Sequence, residues 1–213
     1  TIYNKYHQNE IVDYVLKINN YKNIESYISN VLTIEEDTQN QLFKISKNKN
    51  RSVGYYEGLL EKNNLTFKWV DDFQDFYPIL LKNKKKHDSK PTHTEKELEV
   101  LKSLFPNEIL QLMLYADNTP IAGMTIFKAN AKGAILFYSM FDYDYNKMQP
   151  IPLLMHYIID WAKKNELVFI DYGVSHMPQA DNPLTPSRSL IKFKEEFGCF
   201  GIVRSAYSKK IND

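Results

Sequence analysis

Lys194 is the residue best placed to do chemistry. It lies in a segment, Leu190 to Gly198, whose apolar spacing is helical. Successive helical side chains turn by about 100°, so Leu190, Phe193 and Phe197 form one apolar stripe. Lys194 falls at the edge of that stripe, whereas Lys192 and Glu195 lie well away from it. Its ammonium can therefore reach inward to a pocket. A fixed positive charge there stabilises the oxyanion of an acyl-transfer intermediate, or holds a carboxylate or phosphate. The bland reading is a lysine that snorkels along the core edge to solvent.

Asp171 and Tyr172 end an apolar run that reads as a buried strand, and open α/β sheets bind ligands at the carboxyl ends of their strands. A carboxylate there can act as general base towards an acceptor amine, or accept backbone N–H bonds in the turn to Gly173. Tyr138 and Ser139 are neighbours on another strand, so one of the two side chains points to the substrate side. Tyr207, on the last strand, can exchange a proton, and His176 and Arg188 flank a proline-rich loop where they can bind an anionic acceptor. His87 and His93 border a basic run. No two histidines have the i, i+4 spacing of a helical metal site, so no metal is expected. Cys199 has no visible activating partner and reads as inert.

These candidates sit in a chain of 213 residues, 43% of them hydrophobic, with fifteen Tyr and twelve Phe. That is the composition of an ordered protein with a sizeable core. Twenty-seven basic residues against 26 acidic ones leave no global field for DNA or a membrane surface, so any phosphate contact must be local. The runs Lys47–Arg51 and Lys82–His87 are the places for one, although a solvated face or loop explains both. A single cysteine excludes an internal disulfide and suits a reducing, cytoplasmic compartment. No stretch reaches the length of a membrane helix. Thr1 is not an initiator Met, so sequence upstream is expected.

The elements that must position the candidates centre on Ala134–Gly173. Ala134–Phe141 reads as a buried strand, Asp142–Gln149 as a loop, and Pro150 and Pro152 as the start of a helix carrying Leu154, Tyr157, Ile158 and Trp161. Asn165 is expected to take the left-handed cap, before a second buried strand at Leu167–Ile170. The unit is a parallel βαβ crossover. Ahead of it, Leu65–Val70 alternates as a strand and Asp71 or Asp72 caps a helix with Phe73, Phe76, Ile79 and Leu80. Lys82–Lys90 reads as a basic loop. Thr94 and Glu97 form a capping box for a helix ended by Pro106. Ile109–Ala116 and Pro120–Ala129 lead by short turns into the central strand. After the crossover come a proline-rich loop (Met177–Pro186), a helix (Ser187–Phe197) and a strand (Gly201–Lys210). The order from Leu65 is β-α-α-β-β-β-α-β-α-β. Residues 1–64 read as a helix-rich extension: a strand at Asp13–Ile18, a helix beginning at Asn23, and a longer helix over Thr33–Lys62. Unable to build a core alone, this segment is expected to pack on residues 65–213.

That order, with antiparallel strands feeding one parallel crossover, resembles the GNAT acyltransferase fold, an α/β (α+β) class with a mixed, mostly antiparallel sheet flanked by helices. Ile121-Ala-Gly123, Pro152-Leu-Leu154, Ile170-Asp-Tyr-Gly173 and above all Leu190 to Gly198, with its Phe-Lys-x-x-Phe-Gly, resemble the C-terminal half of the Fem-type aminoacyltransferases and related FemAB-like or BioF2-like acetyltransferase domains. Residues 1–64 then look like the end of a first GNAT-like repeat. The resemblance implies transfer of an acyl or aminoacyl group, from acyl-CoA or aminoacyl-tRNA, to an amine of a cell-wall or glycan precursor in the bacterial envelope, and implicates Lys194 in the transfer step. Ordinary GNAT enzymes hold coenzyme A in a glycine-rich turn before the central helix. Asn146–Pro152 contains no glycine and two prolines, which removes two N–H donors and leaves the donor open. A non-catalytic GNAT-like binding or scaffold module is the alternative.

Overall fold

Runs rich in β-branched and aromatic residues, punctuated by Asp-Asn and Lys-Gly turns, fold into a seven-stranded sheet in which most strands pair antiparallel. The computed structural model describes residues 9–37, 53–86, 88–177, 180–182 and 184–211. The elements in chain order are α1 (Asn9–Ile18), β1 (Lys22–Thr33), α2 (Val53–Lys62), β2 (Leu65–Val70), α3 (Phe76–Lys86), α4 (Glu95–Leu104) and β3 (Ile109–Ala116). They continue as β4 (Thr119–Asn130), β5 (Gly133–Phe141), a 3-10 turn (Tyr143–Met148), α5 (Pro150–Lys164), β6 (Phe169–Val174), α6 (Arg188–Glu195) and β7 (Phe200–Ser208). The strands lie in the order β2-β3-β4-β5-β6-β1-β7. Among the described strands only β5 and β6 run parallel, joined by the α5 crossover.

Alternation along β3 divides the core into two layers. Leu112 and Leu114 join the larger layer with Leu154, Ile158 and Phe197, while Met113 and Tyr115 join the smaller one with Phe73, Phe76, Leu80 and Leu98. One face of the sheet is thus covered by α5 and α6, the other by α3 and α4. The capping box forms as expected: the Thr94 hydroxyl accepts from the Glu97 N–H at 3.3 Å, and the Glu97 carboxylate accepts from the Thr94 N–H at 2.7 Å. Gly123 sits where an added Cβ would meet the Met113 sulfur at 2.6 Å and the Phe76 ring at 2.7 Å, so the strand can approach α3 only without a side chain.

Several expectations are corrected. Residues 13–18 are helical, as part of α1, because Ile11, Val15 and Ile18 also recur at steps of four and three, and a six-residue window does not separate the two periods. Asn23 is the second residue of a twelve-residue strand and does not begin a helix. That strand, β1, pairs with β6 on one side and β7 on the other, partners more than 130 residues away in sequence, so no hairpin signal announces it. Thr33 ends β1; of the helix expected over Thr33–Lys62, only Val53–Lys62 falls in a described helix, and residues 38–52, with Lys47–Arg51, lie outside the described residues. Lys82–Lys86 form the last turns of α3 and not a loop, and His87 also lies outside the described residues. The left-handed position after α5 is Glu166 (φ 55°), one residue beyond Asn165 (φ −98°). The early segment joins the sheet of residues 65–213 through the pairing of β1 with β6 and β7.

Candidate active site

Two irregularities in neighbouring strands open the sheet. In β5 the register passes from Ile126↔Leu136 to Thr125↔Tyr138, so Phe137 is an extra residue. This β-bulge bends the strand and reverses its faces. Leu136 points to the α5 layer, whereas Tyr138 points to the α3/α4 layer. Ser139, opposite Met124, returns to the α5 side. The parallel pairing of β5 with β6 stops at Ile135↔Asp171, and beyond it the two strands separate into a wedge. In β6 the pairing with β1 steps from Val31↔Asp171 to Ser29↔Val174, three residues against two. Gly173 absorbs the step at φ 77°, a conformation that strains a residue with a Cβ.

Lys194 reaches this bulge. Its Nζ donates to the Gly173 carbonyl at 2.8 Å and to the Val174 carbonyl at 3.0 Å. An ammonium has three protons, so one donor remains beyond these two carbonyls. The side chain is buried, at 6% exposure. Burial pulls its pKa down to about 8, a fall only partly offset by the Asp171 carboxylate. The same burial pushes the Cys199 thiol up, which keeps it protonated and unreactive.

Asp171 is fully buried and committed. Its Oδ1 accepts from the Ser29 hydroxyl at 2.6 Å and the Gly173 N–H at 2.8 Å, and its Oδ2 lies 3.8 Å from the Arg204 guanidinium. Ser175 donates to Asn30 Oδ1 at 2.6 Å, extending the polar seam between β1 and the end of β6. Asp171 thus pins the bulge from one side while Lys194 caps its carbonyls. Ser139 Oγ and the Tyr172 hydroxyl, one on each diverging strand and both on the α5 side, are buried with no partner among the described residues. Burial also raises the Tyr172 phenol, holding it as a neutral donor.

The other expected site residues are dispersed. Tyr138 lies on the opposite face; its hydroxyl is 2.7 Å from Thr92 Oγ1 and accepts from the Thr92 N–H at 3.1 Å. His176 Nε2 accepts from the Ile28 N–H at 3.0 Å, and its ring stacks on Tyr27 with centroids 5.3 Å apart. Arg188 is exposed at the start of α6, and Tyr207 is half-buried on β7 opposite Asn23. Residues not anticipated are Ser29 and Asn30, hidden in a segment read as helix, and Arg204. A glycine inside a strand, Gly173, was the available sign of the bulge. Among the described residues no group of His, Cys, Asp and Glu can hold a metal.

A cradle for a coenzyme A pyrophosphate needs convergent N–H groups at the start of α5. Pro150 and Pro152 take two of the first three helical positions, and the Gln149 N–H is already bonded to the Asn146 carbonyl at 3.1 Å. The residues present do not fit that group, and no step of the reaction is routed through it.

A split parallel pair within an otherwise antiparallel sheet, crossed by one helix, defines the class of acyltransferase-like folds. The model of the acetyltransferase (GNAT) domain family matches residues 49–180, and the chain belongs to that family. Among solved structures it is similar to FemX, at 9% identity and TM-score 0.70, over 91% of this chain and 66% of that one. It is also similar to L-PGS from Bacillus licheniformis, at 14% identity and TM-score 0.58, over 92% and 63%. A third is the C-terminal domain (DUF2156) of a putative lysylphosphatidylglycerol synthetase from Agrobacterium fabrum, at 12% identity and TM-score 0.55, over 86% and 61%. At such identities the likeness is one of fold. The chain spans less than two thirds of the length of each. No curated protein matches it in sequence.

Proposed function

We propose that the wedge between β5 and β6 is the reaction site of an N-acyl or aminoacyl transfer to an amine. The observation that carries this reading is the buried Lys194 ammonium, held at the end of β6 with one proton uncommitted. In the reaction an acceptor amine attacks the carbonyl carbon of an ester, the carbonyl π pair moves to oxygen, and the tetrahedral oxyanion is met by the Lys194 charge. Collapse expels the alkoxide, and the amine proton leaves to solvent or to the leaving group. Ser139 and Tyr172 supply further donors on the wedge walls. Asp171 acts here as a positioning residue for the bulge, since its oxygens are spent on Ser29, Gly173 and Arg204. Tyr138 positions Thr92 before α4. His176, Arg188 and Tyr207 belong to the acceptor side, the wall built by the first half of β1, β7 and the loop before α6. The misfit of coenzyme A at α5, with FemX and L-PGS as fold neighbours, supports an aminoacyl-tRNA donor and a glycan- or lipid-linked precursor acceptor. Residues 1–64 then correspond to the end of a first repeat.

The test is single-turnover transfer from labelled aminoacyl-tRNA and from acetyl-CoA to an amine-bearing cell-wall precursor, with wild type and Lys194→Met side by side. Transfer that Lys194→Met leaves intact removes the role of Lys194. A second reading, a non-catalytic GNAT-like binding module, is favoured by the commitment of Asp171, which leaves no free carboxylate base in the wedge among the described residues. Precursor binding in calorimetry without transfer from either donor would select it.

A further inference from the structure

Both tryptophans of the chain meet at the end of the sheet opposite to Lys194. Trp69 stands near the end of β2, beside the start of β3, and Trp161 in the last turn of α5, which delivers the chain to the start of β6. Lys194 lies where β6 finishes. The two indole centroids are 5.6 Å apart with planes tilted by 47°, and Tyr157 adds a third ring, 6.1 Å from Trp69. Trp69 is 39% exposed on an edge strand, a costly place for an indole unless something covers it. The two indoles form one wall of an open cleft of about 610 Å³. Its other side is polar. Lys102 donates to the Pro106 carbonyl at 3.1 Å and lies 3.4 Å from the fully exposed Asp71 carboxylate. Asn165 donates to the Trp161 carbonyl at 2.9 Å, which leaves its Oδ1 as an acceptor. Asn107 and Lys128 also line the cleft.

We propose that this cleft is a carbohydrate-binding subsite that takes a pyranose with equatorial substituents, of the N-acetylhexosamine kind. Such a ring presents a face of C–H groups, electropositive and apolar, which packs against the electronegative face of an indole. Its hydroxyls and acetamido group need donors and acceptors around the rim, which the Asn107 and Asn165 amides and the Asp71–Lys102 ion pair provide. The two indole planes differ by 47°, so a flat base can lie on one ring only. The exposed Asp71 carboxylate disfavours a phosphate, and Lys102 is already taken by it. The size is that of an ordinary small-ligand pocket. The site is independent of the transfer chemistry at Lys194 and stands or falls without it.

Because the only two tryptophans both lie here, intrinsic fluorescence reports this cleft alone. Titration of the whole chain with chitotriose is expected to give a saturable shift in emission, with saturation-transfer NMR marking the C–H protons of one sugar face. Trp69→Ala weakens that binding about tenfold or more. Trp69→Phe, which keeps apolar cover over the sheet edge, weakens it less and guards against a folding failure. No saturable change up to millimolar chitotriose in the folded wild type overturns the proposal. So does binding that Trp69→Ala leaves unaltered, or binding of adenosine monophosphate or triglycine in its place.

Discussion

Lys194 and Lys82 anchor the same end of the sheet, one at the close of β6 and the other at the close of β5, yet their charges are treated in opposite ways. Lys194 is buried against two carbonyl oxygens and its pKa is pulled down to about 8. Lys82, with half its side chain exposed, lies 2.7 Å from Asp142 and 2.8 Å from Asp144, and those hydrogen bonds push it up to about 12. Neutral carbonyl dipoles do not repay the water an ammonium loses, whereas two carboxylates, that of Asp144 exposed and that of Asp142 largely covered, favour the charge outright. Lys82 is therefore a permanently charged clamp between α3 and the strand end, and Lys194 a cation that titrates near neutrality in a desolvated wedge. The second arrangement is the kind that catalytic groups have.

The largest expected effect breaks this contrast at Lys194. Lys194→Met should lower transfer by about 100-fold or more, the cost of removing one oxyanion donor, while the fold is kept. If the charged form acts, the rate constant of the transfer step falls as pH rises through about 8. Lys194→Arg, charged throughout, should lose that alkaline limb even where its geometry slows the reaction. Stability moves the other way. The lysine carries its proton in both folded and unfolded chains below about 8, and there the burial penalty is present in full. Between about 8 and the ordinary value of 10.5 the folded chain binds fewer protons, so the unfolding free energy rises with pH. Urea denaturation at several pH values should show this rise in wild type and not in Lys194→Met.

Next in size are changes to what holds the carbonyls for Lys194. Asp171→Asn removes a buried charge facing Arg204 and Ser29, at a cost of about 1–3 kcal/mol in chemical denaturation. As a positioning change it should lower transfer and keep the alkaline limb of Lys194, moved to lower pH because the Asp171 charge no longer raises that pKa. A new limb, or loss of the old one, would make Asp171 a proton-transfer group. Gly173→Ala meets open space, so its cost is the backbone strain of φ 77° alone, about 1–2 kcal/mol. It should also move the two carbonyls that accept from the ammonium, and so lower the apparent pKa of Lys194 further.

Lys194 and Asp171 were legible in the sequence because each is marked by local pattern: an edge position on an apolar helical stripe, and a strand end before a glycine. The partners were not. Ser29 and Asn30 lie in β1, whose pairing is set by strands far along the chain, and a local window offers Asn23–Ile28 to a helix as readily as to a strand. The faces of Tyr138 and Ser139 were undecidable in the same way, because an extra residue at Phe137 changes which of them looks into the wedge, and nothing in an unbroken apolar run announces a bulge. From Leu65 to Val174 neighbouring strands are joined by short turns or by one or two helices, so local signals and final pairing agree, and the element order follows.

The smallest effect is expected at Lys82, and it sharpens the contrast because it should be electrostatic only. Burial raises the Asp142 carboxyl, but the hydrogen bonds from Lys82 and the Asp144 N–H outweigh it and leave it below its ordinary 3.8. A lowered carboxylate stabilises the fold above its unfolded value and loses that contribution as pH falls through the folded one. Lys82→Ala should therefore shift the melting temperature slightly at neutral pH, and the difference from wild type should fade as pH falls below the ordinary carboxylate range. The difference should also shrink as salt is added, since an exposed pair is screened. Asn83, one residue on, donates to the Phe141 carbonyl at 2.5 Å and keeps α3 docked on β5 without the ion pair. Transfer should be unchanged. A loss of transfer in Lys82→Ala that salt does not reproduce would mean that Lys82 takes part in the site, and the division between clamp and catalytic cation would fail.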